Sequence, residues 1–293
     1  MIDIKILYYL SKLYWLGIIG LIGTFFSDLQ IFNTLCFFGL FVFLDIGLNF
    51  SVWKCSILQM IGMVIVESKF KDKKPSADNY NSKISYCLPF NGSWVIVNGC
   101  FRKEYSHSWD IPTQRYAYDF IKLDKNNKSF DGDFKDVNSY YCYEQEILSP
   151  ADGKIVEINN KSADSKILDK GRFISKSSHV AGNYIVIQHA ENEFSTLAHL
   201  KKDSIKVAVG DVVSKGQVIA LCGNSGNSTE PHLHFQLQTG KSFYSSAGLP
   251  IHFEKIKISE IEDYSTYDPR PHMSFENIPV GYVTRGFKYE NMK

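Results

Sequence analysis

His232 and His234 stand two residues apart in the run Asn227-Ser228-Thr229-Glu230-Pro231-His232-Leu233-His234-Phe235-Gln236-Leu237. Pro231 keeps Glu230 extended, and the alternation that follows reads as a strand whose successive side chains point to opposite faces. The two imidazoles therefore share one face, about 7 Å apart, and both can reach a single bound ion or water molecule. Leu233, Phe235 and Leu237 take the other face and point to a core. Alone, such a pair is equally well two surface histidines of a half-buried strand, so its meaning depends on what the rest of the chain brings to it.

Three other pieces bear on this strand. Ser195-Thr196-Leu197-Ala198-His199-Leu200 is a strand ending in a histidine between apolar neighbours, a position that by itself more often holds a satisfied core residue than a catalytic one. Gln114-Arg115-Tyr116-Ala117-Tyr118-Asp119-Phe120 alternates and carries one carboxylate in an otherwise apolar run. A buried carboxylate needs a partner. Arg115, four residues away on the same face, offers a purely structural salt bridge. The third piece is His107, in a Ser-His-Ser-Trp segment ahead of Pro112.

The elements that must position these residues divide the chain in two. Ile6 to Phe26 and Ile31 to Phe50 are apolar runs of about 20 residues, each enough to cross a bilayer as a helix. A third run, Val52 to Val66, reads as another span or an interfacial helix. No small-x-small cleavage site follows the first run, which favours an anchor over a cleaved signal peptide. The lysines at 69, 71, 73 and 74 favour the cytoplasmic side, whereas an odd number of crossings from a cytoplasmic N-terminus puts the remainder outside; the two cues oppose each other. Residues 1–66 thus form a transmembrane region and residues 67–91 a hydrophilic tether.

From residue 92 onward the pattern is of short strands separated by glycine and asparagine: Trp94 to Val97, Tyr116 to Leu123, Lys154 to Ile158, Tyr184 to Gln188, Phe194 to Leu200, Ile205 to Val207, Val218 to Leu221 and His232 to Leu237. With no long amphipathic helix between them, they argue an all-β domain. Asp124 to Asp136 and Asn159 to Lys170 read as surface loops, and Gly210, Gly216, Gly223 and Gly226 as turn formers. The formal net charge of +1 leaves no nucleic-acid footprint. Six cysteines without Cys-x-x-Cys spacing do not resemble a zinc cluster and read as small buried thiols, with pairing among Cys87, Cys100 and Cys142 the alternative in an oxidising compartment.

Taken together, Gly182-Asn183-Tyr184-Ile185-Val186-Ile187, Ala198-His199-Leu200, Val209-Gly210-Asp211 through Gly216-Gln217-Val218-Ile219, Gly223-Asn224-Ser225-Gly226 and Pro231-His232-Leu233-His234-Phe235 resemble, in order and spacing, the lysostaphin-type (LytM-like, duplicated hybrid motif) zinc metallopeptidases. Ser149-Pro150-Ala151-Asp152-Gly153-Lys154 matches the opening strand-turn of the same module. The resemblance covers about residues 93 to 240 and implies an antiparallel, sandwich- or barrel-like β domain over residues 92–293. It further implies one zinc ion and hydrolysis of peptide bonds in bacterial peptidoglycan. Position by position, Asp119 and His234 match metal ligands, and His199 and His232 match the two histidines that act on the substrate.

One position departs. The family's first motif is His-x-Gly-x-Asp, and here Arg115 occupies the histidine's place; a guanidinium stays protonated and binds no zinc. The segment resembles a variant of the family in which an upstream histidine precedes Gln-Arg-aromatic-Ala-x-Asp, which makes His107 the replacement ligand. The expectation is a membrane-anchored zinc endopeptidase on the outer side of a bacterial membrane, with a wall peptide as substrate; any activating partner is undefined. Its rivals are a degenerate module of the same fold that binds wall or regulates another hydrolase, and a phosphocarrier domain of the sugar phosphotransferase type, which shares the Pro-x-Asp-Gly element.

Overall fold

Helices form where the chain is apolar without alternation. The computed structural model describes residues 4–292, and the chain divides into two compact units between Lys54 and Cys55. The first unit holds α1 (Ile4–Ser11), α2 (Tyr14–Phe26), α3 (Gln30–Cys36) and the beginning of α4 (Phe41–Phe70), which leaves helical geometry at Asn49. Two stretches, Ile4–Phe26 and Gln30–Lys73, are long and apolar enough to cross a membrane. Glycines let backbones close up here: a Cβ on Gly17 would sit 2.2 Å from Gly39 N, the small-residue contact that apolar helices use. One buried charge is fully partnered. Asp45 accepts from Ser11 Oγ at 2.8 Å, Lys12 Nζ at 2.5 Å, Asn49 Nδ2 at 3.0 Å and Trp53 Nε1 at 3.1 Å. The run from Val52 to Val66 lies in the part of α4 that follows the break at Asn49.

The second unit is an antiparallel-sheet domain. Its strands are β1 (Trp94–Asn98), β2 (Tyr118–Ile121), β3 (Glu146–Leu148), β4 (Gly153–Asn159), β5 (Lys166–Asp169), β6 (Arg172–Ile174), β7 (Asn183–Ala190), β8 (Glu193–Leu200), β9 (Val212–Val213), β10 (Val218–Leu221), β11 (Leu233–Gln238), β12 (Gly248–Leu249), β13 (Ile256–Ser259) and β14 (Lys288–Asn291). Ten of them form one sheet in the order β13-β14-β1-β2-β11-β8-β7-β4-β9, with β12 on the edge of β11 that β2 leaves free beyond Phe235. β3 pairs with β10, and β5 with β6.

The core lies between one face of the large sheet and the β3–β10 pair. Phe120, Ile155, Ile187, Leu197, Leu233, Phe235 and Leu237 from the sheet meet Ile147 and Ile219 from the pair, all fully buried. Period two therefore sends His234, Gln236 and Gln238 to the opposite face, where they are buried under a separate layer of side chains. Residues 67–91, expected as a tether, instead carry Tyr86, Leu88 and Phe90 into this core, each with no exposed surface. Glu193 fastens them: its carboxylate accepts from Tyr80 Oη at 2.6 Å, Lys83 N at 2.6 Å and Tyr86 Oη at 2.9 Å.

Three smaller expectations also change. The loop expected over Asn159 to Lys170 contains β5, whose Ile167 and Leu168 are buried, and Ile205 to Val207 forms no strand. Gly210, Gly216 and Gly226 have positive φ as expected of turn formers, but Gly223 does not; there a Cβ would fall 2.4 Å from Lys201 N, so close approach of two backbones excludes a side chain. All six cysteines are free thiols.

Candidate functional site: a His-Asp-His cluster flanked by two histidines

Three neighbouring strands build the site. β2, β11 and β8 lie side by side with Asp119 opposite His234 and His234 opposite Ala198, so one row across the sheet presents a carboxylate and an imidazole, with His199 one residue beyond. Asp119 is 5% exposed. The salt bridge with Arg115 does not form: Asp119 instead meets His107 Nε2 at 3.0 Å, His234 Nδ1 at 2.9 Å and Asn98 Nδ2 at 3.0 Å, with His232 Nε2 at 3.6 Å. Burial pushes its carboxyl up, but the His107 and His232 imidazoles and the hydrogen bonds from His107 and His234 outweigh this and hold it well below the usual carboxylate range.

Arg115 turns away from the carboxylate and works on the loop. Its guanidinium lies 4.6 Å from the centre of the Trp109 ring and its Nε donates to Trp109 O at 3.0 Å, while Ser106 Oγ donates to Arg115 O at 2.7 Å. The segment from Ser106 to Arg115 is thereby folded back on itself, and His107 reaches Asp119 from twelve positions upstream. His107, Asp119 and His234 each offer one ligand atom, and those atoms all lie within 4.8 Å of one another. Two nitrogens and one carboxylate oxygen at that spacing suit a divalent cation such as zinc, with a coordination position left for water.

His234 is held in one tautomer by residues that were not singled out in the sequence. Its Nε2 faces Gln236 Oε1 at 3.0 Å, and Gln236 Nε2 donates to Gln238 Oε1, whose own Nε2 donates to Gly240 O at 2.7 Å. An amide that donates forward must offer its oxygen backward, so Gln236 accepts from Nε2 and fixes the ring with Nδ1 turned to Asp119 and the ligand cluster. The signal was available: Gln236 and Gln238 continue the same period-two face as His234. Phe243 covers this face, its ring centre 5.9 Å from that of His234.

His199 and His232 stand together, ring centres 4.6 Å apart. His199 Nδ1 donates to Ser225 O at 2.7 Å, and His232 Nδ1 to Glu230 O at 2.8 Å, which leaves the His199 Nε2 as an acceptor while His232 Nε2 faces the Asp119 carboxylate at 3.6 Å. Burial, followed by the neighbouring His232 and His234, holds the His199 imidazole well below its ordinary value, so it is neutral. Its backbone sits at φ +60, a conformation that costs a non-glycine residue on the order of 1 kcal/mol or more and that clusters at functional sites. The loop behind it leaves no slack: a Cβ on Gly226 would come 2.3 Å from Gly182 N, and one on Gly182 2.3 Å from Ser225 C. The loop from Asn224 to Asn227 thus backs His199 through Ser225 O.

Helix α4 supports the opposite rim. Gln59 Nε2 donates to Thr113 Oγ1 at 3.4 Å, Gln114 Nε2 donates to Gln59 Oε1 at 3.2 Å, and the Gly62 backbone lies against Tyr244, the neighbour of Phe243. The remaining histidines are away from the cluster. His179 packs among Tyr184, Phe243 and Tyr244, His189 bonds Asp152 O and Ser195 Oγ, and His252 and His272 lie against Tyr282 and Phe287.

Residues 137–245 match the model of peptidase family M23. Among curated proteins, the chain is 45% identical over 64 residues to the peptidoglycan DD-endopeptidase ShyA of Vibrio cholerae, covering 22% of this chain and 14% of that protein. It is 36% identical over 93 residues to lysostaphin of Staphylococcus staphylolyticus, covering 31% of this chain and 19% of the relative. The matches thus span less than a quarter of either relative's length. Among solved structures, the catalytic domain of lysostaphin from Staphylococcus simulans aligns with 58% of this chain and 90% of its own at 22% identity and a TM-score of 0.31.

Proposed function

Because residues 137–245 belong to peptidase family M23, we propose that this chain is a zinc-dependent endopeptidase that cleaves peptide bonds of bacterial peptidoglycan, anchored by its N-terminal helices with the sheet domain on the extracytoplasmic side. The observation that carries the reading is the convergence of His107, Asp119 and His234 on one point, with ligand atoms within 4.8 Å, beside two further histidines.

His107 Nε2, the Asp119 carboxylate and His234 Nδ1 would hold the zinc. Bound there, it supplies a Lewis acid and brings the pKa of a water to about 7. The protein does the rest. His199, neutral and with a free Nε2, accepts the proton of the attacking water, and His232, its Nε2 turned toward Asp119, flanks the same position. The imidazole that has taken the proton becomes a donor to the oxygen of the scissile carbonyl as charge builds there. Ser225 O and Glu230 O fix both rings by their Nδ1–H groups, so each Nε2 is aimed before the substrate arrives. A non-catalytic wall-binding module is the alternative that Arg115 raises; the return of His107 to Asp119 supports the catalytic reading over it.

Metal analysis of the full chain in detergent tests this. About one zinc per chain is expected, with loss of at least about tenfold in affinity on Asp119→Asn, His107→Ala or His234→Ala, and with release of peptides from purified wall sacculi lost in step. Full zinc in His107→Ala beside none in His234→Ala would remove His107 from the ligand set. For the orientation, a protease added to intact cells should digest the sheet domain; protection would place it on the cytoplasmic side.

A further inference from the structure

Thr229 and Glu230, just ahead of the strand that carries His232 and His234, line a cavity of about 780 Å³. Its other walls come from the loop 127–140, from the β5–β6 turn at residues 169–171 and from Tyr267. The volume suits a small ligand or a side chain with part of its backbone. Aromatic rings form much of the lining: Phe130 and Tyr140, with ring centres 5.2 Å apart, and Tyr267.

Glu230 is the anionic group set among these rings. Its Oε1 accepts from Tyr267 Oη at 3.2 Å, and its Oε2 has Ser129 Oγ at 3.5 Å. Two hydroxyls leave about half of the lone-pair capacity of a carboxylate unused. Among the described residues no lysine or arginine forms an ion pair with it, and Lys128 and Lys170 are exposed at the rim. Burial pushes the Glu230 carboxyl up, against the opposing pull of His232. A carboxylate walled by aromatic faces, with no cation bonded to it and only the exposed Lys170 and the His232 ring acting on it from nearby, is the composition that recognises an organic cation, which satisfies the charge and lies against the rings at once.

We propose that this cavity is a subsite for a primary ammonium group of the substrate peptide, with Glu230 as counter-ion and the rings of Phe130, Tyr140 and Tyr267 as its walls. The inference rests on the peptidase reading for the identity of the ligand. Glu230 precedes His232 by two residues, about 7 Å of extended chain, so the ammonium belongs to a residue close to the bond under attack. It also touches the chemistry indirectly, because the Glu230 carbonyl is what holds His232 Nδ1.

The test uses the full chain in detergent and wall sacculi either native or N-acetylated with acetic anhydride, which neutralises free amines and little else. Acetylation is expected to lower kcat/KM about tenfold or more, chiefly through KM, the size of one charged hydrogen-bonded contact. Glu230→Gln should turn over native and acetylated sacculi at one common, reduced rate, and Phe130→Leu, which spares the carboxylate, should lose part of the discrimination. Calorimetry with Nα-acetyl-lysinamide and Nε-acetyl-lysinamide separates a side-chain ammonium from one at a chain end, and Glu230→Gln should abolish binding of whichever is taken. Equal hydrolysis of both wall preparations by the unsubstituted protein overturns the subsite and leaves the peptidase standing. Hydrolysis of neither overturns the peptidase; absence of heat from both lysine derivatives would then overturn the subsite as well.

Discussion

Arg115 cannot bind a cation, and it is nonetheless the residue that fastens the loop presenting His107. Stacked on Trp109 and bonded to its carbonyl, it makes contacts that depend on a planar fork. Arg115→Lys and Arg115→Ala should therefore both lower zinc affinity, by about tenfold or more, with little change in thermal stability, since the loop is at the surface. Equal zinc affinity in all three proteins would show that the loop stays closed without the stack. His199 makes a second prediction at this scale. Its proton affinity is lower folded than unfolded, so its contribution to stability is complete above the ordinary value of 6.5 and declines as pH falls below it. The metal-free protein should melt at lower temperature as pH drops from about 7 to about 5.5, and His199→Gln should flatten that slope; an unchanged slope would assign the loss elsewhere. At this scale Asp119, His199, His232 and His234 were legible in the sequence because alternation put two of them on one face and spaced motifs marked the rest. The Arg115–Asp119 pairing was misjudged because strand geometry was extended back to Arg115, whereas β2 begins at Tyr118.

Among the elements, β11 does most to define the site, and its alternation could be read directly: apolar residues inward, His234 and two glutamines outward. β5 and β6 were hidden because the run from Asn159 to Lys170 that contains β5 is polar and the two strands are only four and three residues long. The loops around His199 obey a constraint that only three dimensions reveal. Gly182 and Gly226 face each other with no room for a Cβ, and both have positive φ. Gly226→Ala is expected to cost about 2 kcal/mol or more by denaturant unfolding and to reduce hydrolysis further, because Ser225 O would no longer meet His199 Nδ1. Loss of stability with activity per folded molecule intact would argue that the loop only supports the fold.

For the molecule as a whole, composition separated an apolar N-terminal part from a strand-rich remainder, but it misplaced where the second begins. Lysines and asparagines between residues 67 and 91 gave a hydrophilic average that concealed Tyr86, Leu88 and Phe90. Each removes a large apolar side chain from water, worth about 2 kcal/mol. A protein starting at Ser76 should accordingly melt in one cooperative transition, while one starting at Gly92 should show none by circular dichroism. Cooperative melting of the shorter form would mean that these three side chains are dispensable.

The clasp of Glu193 on Tyr80, Lys83 and Tyr86 shortens the leash between the end of α4 and the sheet to the residues between Phe70 and Tyr80. If the chain is the anchored wall peptidase proposed above, it cannot sweep through the thickness of a wall. Cutting would then be confined to a stratum whose height is set by the dimensions of the folded domain, and strands pushed outward by growth would pass out of range without any inhibitor being required.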